Sequence, residues 1–450
     1  MKSSDLIIPL VGWFVGVSVV VWHLWKRRTP SVGLPFAYLF DLTMIHWFGA
    51  LIYALPWYFE SGEFAQDGVR AIDVVRGFNV SCLGVLAFAF GVVVIGPLLL
   101  KRSRIRTLPA TRGGFNRRLP TVYLFVAIFF NFVLGPFIRR IPTIGTMAQS
   151  GWTLLIAALC LMCWQAHLDT NKKKLLVILL FTILFLPVTT LLAGFLGYGV
   201  RAASIVFLFV FIFYRPRYHL VLGAIFSLYL GLSFFVNYMD VRTDIRKAAW
   251  GQSSRMGVLG TMGGMVSNFK MLDLHDEDQL EDIDRRLNQN ILVGASVDYL
   301  ESGQIEYASG KTFRDALIAM VPRIIWRNKP VVAGSGDLVA TYTGMVFGEG
   351  TSVGVGQVME FYINYGNTGV IMGFLILGST IAYFDRKAAE DLKNDNWTGF
   401  TYWFVPGVGF LQSIGSLVEI TATVLSAVVF CLMINWFVMT RMAGARRSAR

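Results

Sequence analysis

Five basic residues and one carboxylate between positions 201 and 360 have the types and order that could do chemistry. Arg201 stands in Gly197-Tyr-Gly-Val-Arg201, read as a very short outer connection between two apolar arms. Arg286 opens the run Arg286-Leu-Asn-Gln-Asn290, and Arg323, Arg327 and Lys329 follow with no acid between them. Gly334-Ser335-Gly336 comes next, and nine glycines fall in the 36 residues from Gly334 to Gly369, against a usual share of about 7%. Mobile backbone N–H groups beside fixed guanidinium forks suit an oxyanion such as phosphate or pyrophosphate. Glu360 is the carboxylate near this tract; it has the chemistry either to take a proton from a hydroxyl or to orient an arginine. Arg139-Arg140 stand at the outer end of an apolar segment, where two cations call for an anion or a nearby acid.

Other chemistries lack their residues. There is no Walker A sequence, no His-Glu-x-x-His, no Gly-x-Ser-x-Gly and no complete dinucleotide fingerprint. The long outer segment holds one histidine, His275, within an acidic run, so a Ser/His/Asp triad is not built there. Cys160 and Cys163 share a helical face without further His or Cys nearby and read as small packing residues. The acids from Asp273 to Asp284 lack the spaced ligands and central glycine of a calcium loop, and read as a solvated helix start. No metal and no cofactor is expected.

The elements that must position the arginines are apolar. Hydrophobic residues make up 55% of the chain and charged residues 15%, with mean hydropathy +0.58. That is the composition of an all-α polytopic membrane protein. Apolar runs at roughly 6–25, 34–58, 78–100, 119–138, 151–168, 175–198, 201–214, 219–238, 367–384, 398–411 and 419–440 give about eleven spans in one integral-membrane domain, 1–450. With the N-terminus outside and the C-terminus inside, the inner connections hold 22 of the 40 Lys and Arg, as the positive-inside rule requires. The first span is read as a retained anchor, because Lys26-Arg27-Arg28 follows its apolar run. The net charge of +12 then reports topology and contact with the inner lipid leaflet, not nucleic-acid binding.

The 127 residues of 239–365, between the eighth and ninth spans, are too many for a connector and should fold against the bundle. Two stretches there have helical periodicity: 284–300, with Leu287, Ile291 and Val297, and the segment through Phe313, Ala316, Leu317 and Met320 that Pro322 ends. Asp41 and His46 lie inside the second span, where ionisable residues are functional candidates. Five positions apart, they do not share a helical face well, and they read as buried polar contacts.

The order of Arg201, then Arg286-Leu-Asn-Gln-Asn290, then Val-Pro-Arg323-Ile-Ile-Trp326-Arg-Asn-Lys329-Pro330, then Glu360-Phe-Tyr-Ile-Asn364-Tyr-Gly366-Asn-Thr-Gly369 resembles a known family. These are the Wzy-type polysaccharide repeat-unit polymerases of the O-antigen polymerase and ligase superfamily. The likeness covers mainly residues 190–384, and Arg323 with Gly334 fits their Arg-x10-Gly pattern. It implies a multi-pass enzyme of the bacterial inner membrane with a GT-C-like helical fold and a periplasmic active face. Its activity would be metal-independent and inverting: a glycan moves from undecaprenyl pyrophosphate onto the non-reducing end of another lipid-linked repeat. Carried over, Arg201, Arg286 and Arg323 would hold the pyrophosphate as it leaves. Arg327, Lys329, Gly334 and Arg140 would line the substrate site, and Glu360 would serve as base or as an arginine's partner. The implied partners are the undecaprenyl-pyrophosphate-linked oligosaccharide, the bilayer and a chain-length regulator. The long outer segment lacks a convincing catalytic histidine, which separates the chain from the ligase branch and favours a polymerase. The alternatives are an O-antigen ligase, a flippase or secondary transporter, and a scaffold without activity.

Overall fold

A computed structural model describes residues 3–26, 30–61, 70–102, 116–138, 147–186, 188–189, 196–214, 218–249, 255–321, 325–347 and 353–448 of the chain. Regular structure among the described residues is helical throughout, with no strand. In lipid only a helix pairs its own backbone within one segment, so apolar runs of this length have little choice. The first half gives α1 (Ile7–Lys26), α2 (Leu34–Tyr53), α3 (Ala71–Lys101), α4 (Leu119–Leu134), α5 (Met147–Leu168), α6 (Lys172–Ile183), α7 (Leu196–Tyr214) and α8 (Tyr218–Ala249). The long segment adds α9 (Arg255–Ser267), α10 (Glu277–Leu287), α11 (Asn290–Glu301), α12 (Lys311–Met320) and α13 (Ser335–Thr343). The chain closes with α14 (Gly356–Lys393), α15 (Trp397–Gly409) and α16 (Leu417–Ser448).

Among the described residues, seven helices are long and apolar enough to cross a membrane: Ser3–Trp25, Leu34–Tyr53, Ala71–Lys101, Gln149–Leu168, Leu196–Tyr214, Gly356–Lys393 and Leu417–Val438. The remaining four of the eleven expected spans are also helical. α4 is a shorter apolar helix, and α6 and α15, of 12 and 13 residues, are only about 20 Å long. α8 covers the eighth expected span and runs on past it.

α3 is the bundle's central helix. A Cβ on Gly77 would stand 2.0 Å from the Asn290 carbonyl oxygen, and one on Gly294 would stand 1.7 Å from that of Asp73. α3 and α11 therefore touch backbone to backbone, a closeness that only glycine permits. Further along, the same side of α3 meets α14, where Gly91 abuts the Leu375 carbonyl and Gly378 abuts that of Phe88.

The long segment does not merely cap this bundle. Asp284 of α10 accepts from the hydroxyls of Tyr53 (2.8 Å), the last residue of α2, and Tyr58 (3.0 Å), in the short helix Pro56–Ser61 that follows. Farther in, Asn288 lies against Gly49, and the Gln289 N–H reaches the Ile45 carbonyl at 2.8 Å. At the turn Asn290 is fully buried; its Oδ1 meets His46 Nδ1 (2.8 Å) and the Ser81 hydroxyl (3.1 Å). α11 then runs back out along α3 to Asp298, which pairs with Arg70 and Arg76. Ser81 is ten residues into α3, so the turn penetrates about 15 Å. His46 itself lies in a π-bulge, Thr43–Trp47, a widening of the helix that makes room for such an insertion.

α14 is broken. Tyr365 (φ −147, ψ 26) and Gly366 (φ 58, ψ −146) leave helical geometry, and the short arm 356–364 folds back so that the Phe361 carbonyl abuts Gly369. The start of that arm meets the turn between α15 and α16: the Gly356 N–H reaches the Ile414 carbonyl (2.9 Å), and the Tyr38 hydroxyl donates to Gln357 Oε1 (2.7 Å).

Candidate functional site

From Tyr218 to Tyr238, α8 rises about 30 Å, the thickness of a bilayer's hydrocarbon core. Beyond that point Tyr238, Arg242 and Arg246 recur every fourth residue and share one helical face. Tyr238 is buried in a cluster with Leu196, Ile245 and Met265, and Arg242 hydrogen-bonds to its hydroxyl. Arg286, in the last turn of α10, faces them. Burial, with the guanidiniums of Arg286 and Arg246, pushes Arg242 down to about 10. Arg286 is also lowered, by partial burial and by Arg246 and Arg285. Like charges held this close oppose one another's protonation. Asp282, one turn back on α10, supplies some opposing charge to Arg286, while Glu281 pairs with Arg285 instead. Three guanidinium groups from two elements thus converge where an anion would relieve their repulsion.

Asp284 keeps α10 in place. Besides the two tyrosines it takes the Asn288 amide at 2.5 Å, and burial pushes its carboxyl up to about 6. At the other end of α10 Asp276 caps the helix, accepting the Gln279 N–H at 3.2 Å, with Glu277 and Asp278 in the first turn. The acidic run is a helix start.

Arg201 is not at a connection. It lies in the second turn of α7, whose other end passes Gly33 with Leu208 and Ile212. Ile212 is eleven residues on, so Arg201 is about 16 Å from that level, inside the bundle. Its charge acts with that of Asp41, and Asp41 accepts the Ser413 hydroxyl at 2.5 Å. Leu196, which packs on Tyr238, is five residues before Arg201. Arg201 and the level of Tyr238 are therefore about 7 Å apart along the axis, and Arg242 and Arg246, one and two turns past Tyr238, are farther out still. His46 makes a buried polar contact with Asn290, and Asp41 a part-buried one with Ser413.

The other expected site residues have local partners or lie elsewhere. Arg323 and Arg140 fall outside the described residues. Arg327 is exposed. Lys329 donates to the carbonyls of Ala319 (2.9 Å) and Val321 (3.0 Å) and so caps the end of α12. The Gly334 N–H is taken by Asp337 Oδ2 at 3.0 Å, at the start of α13. Gly344 (φ 69) ends α13, while Gly356 (φ 65) begins α14 and Gly366 breaks it. Gly344, Gly356 and Gly366 thus mark helix ends and a helix break, while Gly348 and Gly350 of the tract fall outside the described residues. Glu360 is 0% exposed. Its Oε2 accepts the Leu417 N–H at 2.7 Å, placing a carboxylate on the N-terminus of α16, where the helix dipole favours negative charge. Ser416 and Glu419 close a capping box there: the Ser416 N–H donates to Glu419 Oε2 at 3.0 Å, and the Glu419 N–H to the Ser416 hydroxyl at 3.3 Å.

The sequence reading named Arg286 but not the neighbouring Arg242 and Arg246. Their signal was the spacing of Tyr238-x3-Arg242-x3-Arg246, which carries α8 past its apolar run. Among the described residues no group of three His, Cys, Asp or Glu is placed to hold a metal ion. The four cysteines, Cys82, Cys160, Cys163 and Cys431, are buried and free.

A family model described as a domain of unknown function, DUF8712, matches residues 36–440. The chain belongs to that family. No curated protein and no solved structure matches it.

Proposed function

We propose that the chain is a polysaccharide repeat-unit polymerase that transfers a glycan from undecaprenyl pyrophosphate to the non-reducing end of another lipid-linked repeat, on the periplasmic face of the bacterial inner membrane. The observation that carries this reading is the convergence of Arg242, Arg246 and Arg286 one hydrocarbon thickness along α8. That is the depth of lipid phosphates, and guanidinium forks bind phosphate oxygens bidentately. The enzyme class comes from the resemblance set out above. In the reaction an acceptor hydroxyl attacks the anomeric carbon, and the bond to the pyrophosphate oxygen breaks with inversion. The electron pair stays on the pyrophosphate, which, through solvent, takes up the proton that the acceptor hydroxyl releases. Cations fixed beforehand around that oxygen stabilise charge as it develops, without reorganisation. Arg201, deeper in the bundle, completes the positive path, and Glu360 acts as a positioning residue for the α14–α16 junction.

In cells lacking the protein, the surface polymer should collapse to a single attached repeat, and the Arg242→Ala variant should not restore the ladder. Loss of all attachment, with lipid-linked polymer accumulating, would instead mark a ligase. A second reading is a transporter of the same lipid-linked substrate. It draws on the break at Tyr365–Gly366, since discontinuous helices recur at transporter sites. Lipid-linked substrate carried across a liposome bilayer with no polymer made would favour it.

A further inference from the structure

Where α14 breaks, two tyrosines show their rings to solvent on a rigid support. Tyr365 is 52% exposed and Tyr307 42%. The backbone around them is fixed, with the Ala308 N–H on the Ile363 carbonyl (2.8 Å) and the Gly310 N–H on Asn364 Oδ1 (3.0 Å). Phe313 stacks against Tyr365, with centroids 6.1 Å apart and planes 17° apart, and Tyr362 packs beside Tyr307 at 6.4 Å. The tyrosine hydroxyls cross. That of Tyr365 occupies the space a side chain at Gly310 would need, and that of Tyr307 lies over Gly366. Buried Tyr362 donates to Glu301 Oε1 at 3.4 Å, and Glu301 is itself exposed.

Aromatic faces edged by hydroxyls and a carboxylate match the chemistry of a pyranose ring. Its C–H face is weakly positive and meets the negative face of an aromatic ring, while its hydroxyls donate to a carboxylate. Exposed Glu301 and Glu306 offset exposed Lys311 and Arg314, so the rim lacks the net positive charge that would draw an anionic lipid surface. We propose that Tyr307, Tyr365 and Glu301 form a saccharide-binding platform that takes pyranose rings of an oligosaccharide. Assigning those rings to the acceptor strand rests on the polymerase reading above.

The test uses the full chain in lipid nanodiscs and two probes. One is the delipidated oligosaccharide released by mild acid from the lipid-linked repeats of the cells that make the protein; the other is undecaprenyl pyrophosphate. Tyr307→Ala and Tyr365→Ala should each weaken oligosaccharide binding about tenfold, and Tyr365→Phe, which keeps the ring, less than about twofold. Undecaprenyl pyrophosphate should bind all three variants as it binds the native protein, which also shows that they fold. Oligosaccharide binding that is absent from the native protein, or unchanged in both alanine variants, would overturn the platform. So would quenching of a Tyr365→Trp variant by brominated lipids, which would place the ring in the bilayer interface. Sugar binding that depends on Tyr365 in a protein with no affinity for undecaprenyl pyrophosphate would uphold the platform and remove the polymerase reading.

Discussion

Arg242 carries a charge that burial and two neighbouring guanidiniums oppose, and that its hydrogen bond to Tyr238 offsets in part. Asp284 is the contrasting residue, buried and satisfied by three donors. Its folded pKa of about 6 lies above the ordinary value of 3.8, so the folded state holds a proton that the unfolded state releases. Docking of α10 should therefore be firmest below about pH 4 and weaken by roughly 3 kcal/mol as pH rises through 6. Hydrogen exchange of the α10 amides between pH 4 and 7 would show that slope, and Asp284→Asn should flatten it; an unchanged slope in the variant would assign the effect elsewhere. Glu360→Ala should lower stability by about 1–3 kcal/mol through loss of the oxygen that caps α16, with turnover of the folded protein largely kept. Abolished turnover at unchanged thermal stability would make Glu360 the base instead. Residue types were legible in the sequence, but partners were not. Glu360 finds its hydrogen bond 57 residues away, and the helix cap that Lys329 forms eight to ten residues back leaves no mark in composition.

Elements were easier to read where they are long and apolar. α1, α3, α5 and α16 follow from hydropathy alone. The inserted pair α10–α11 was legible as helix but not as insertion, because what draws it inward is the glycine contact of Gly77 with Gly294 and the amide of Asn290 against His46. Gly294→Ala would set a methyl group against the Asp73 carbonyl and should cost about 1–3 kcal/mol or more. A thermal unfolding scan should register the loss, and a variant as stable as the native protein would mean that α3 and α11 are not in backbone contact. Arg201 shows the reverse error: a Gly-rich stretch before it suggested a turn, and the helix starts five residues earlier, carrying the arginine into the bundle.

At the scale of the molecule, charge bias and hydropathy gave an all-helical membrane protein, and the long segment was rightly expected to pack on the bundle. The number of crossings follows less simply, since α15 is short of a bilayer and α14 doubles back. The four native cysteines are buried, which leaves introduced thiols clean to read. With an impermeant maleimide on whole spheroplasts, Gln304→Cys should label at once, and Thr170→Cys only after permeabilisation. The opposite pattern would invert the proposed orientation. The most direct test of the central claim is polymerisation by the purified protein on a synthetic undecaprenyl-pyrophosphate-linked repeat in EDTA, with Arg242→Ala and Arg286→Lys alongside. The account predicts a ladder from the native protein and at least a ~10-fold loss of rate in both variants, because a lysine keeps the charge but not the fork. A ladder of undiminished rate from both would contradict it.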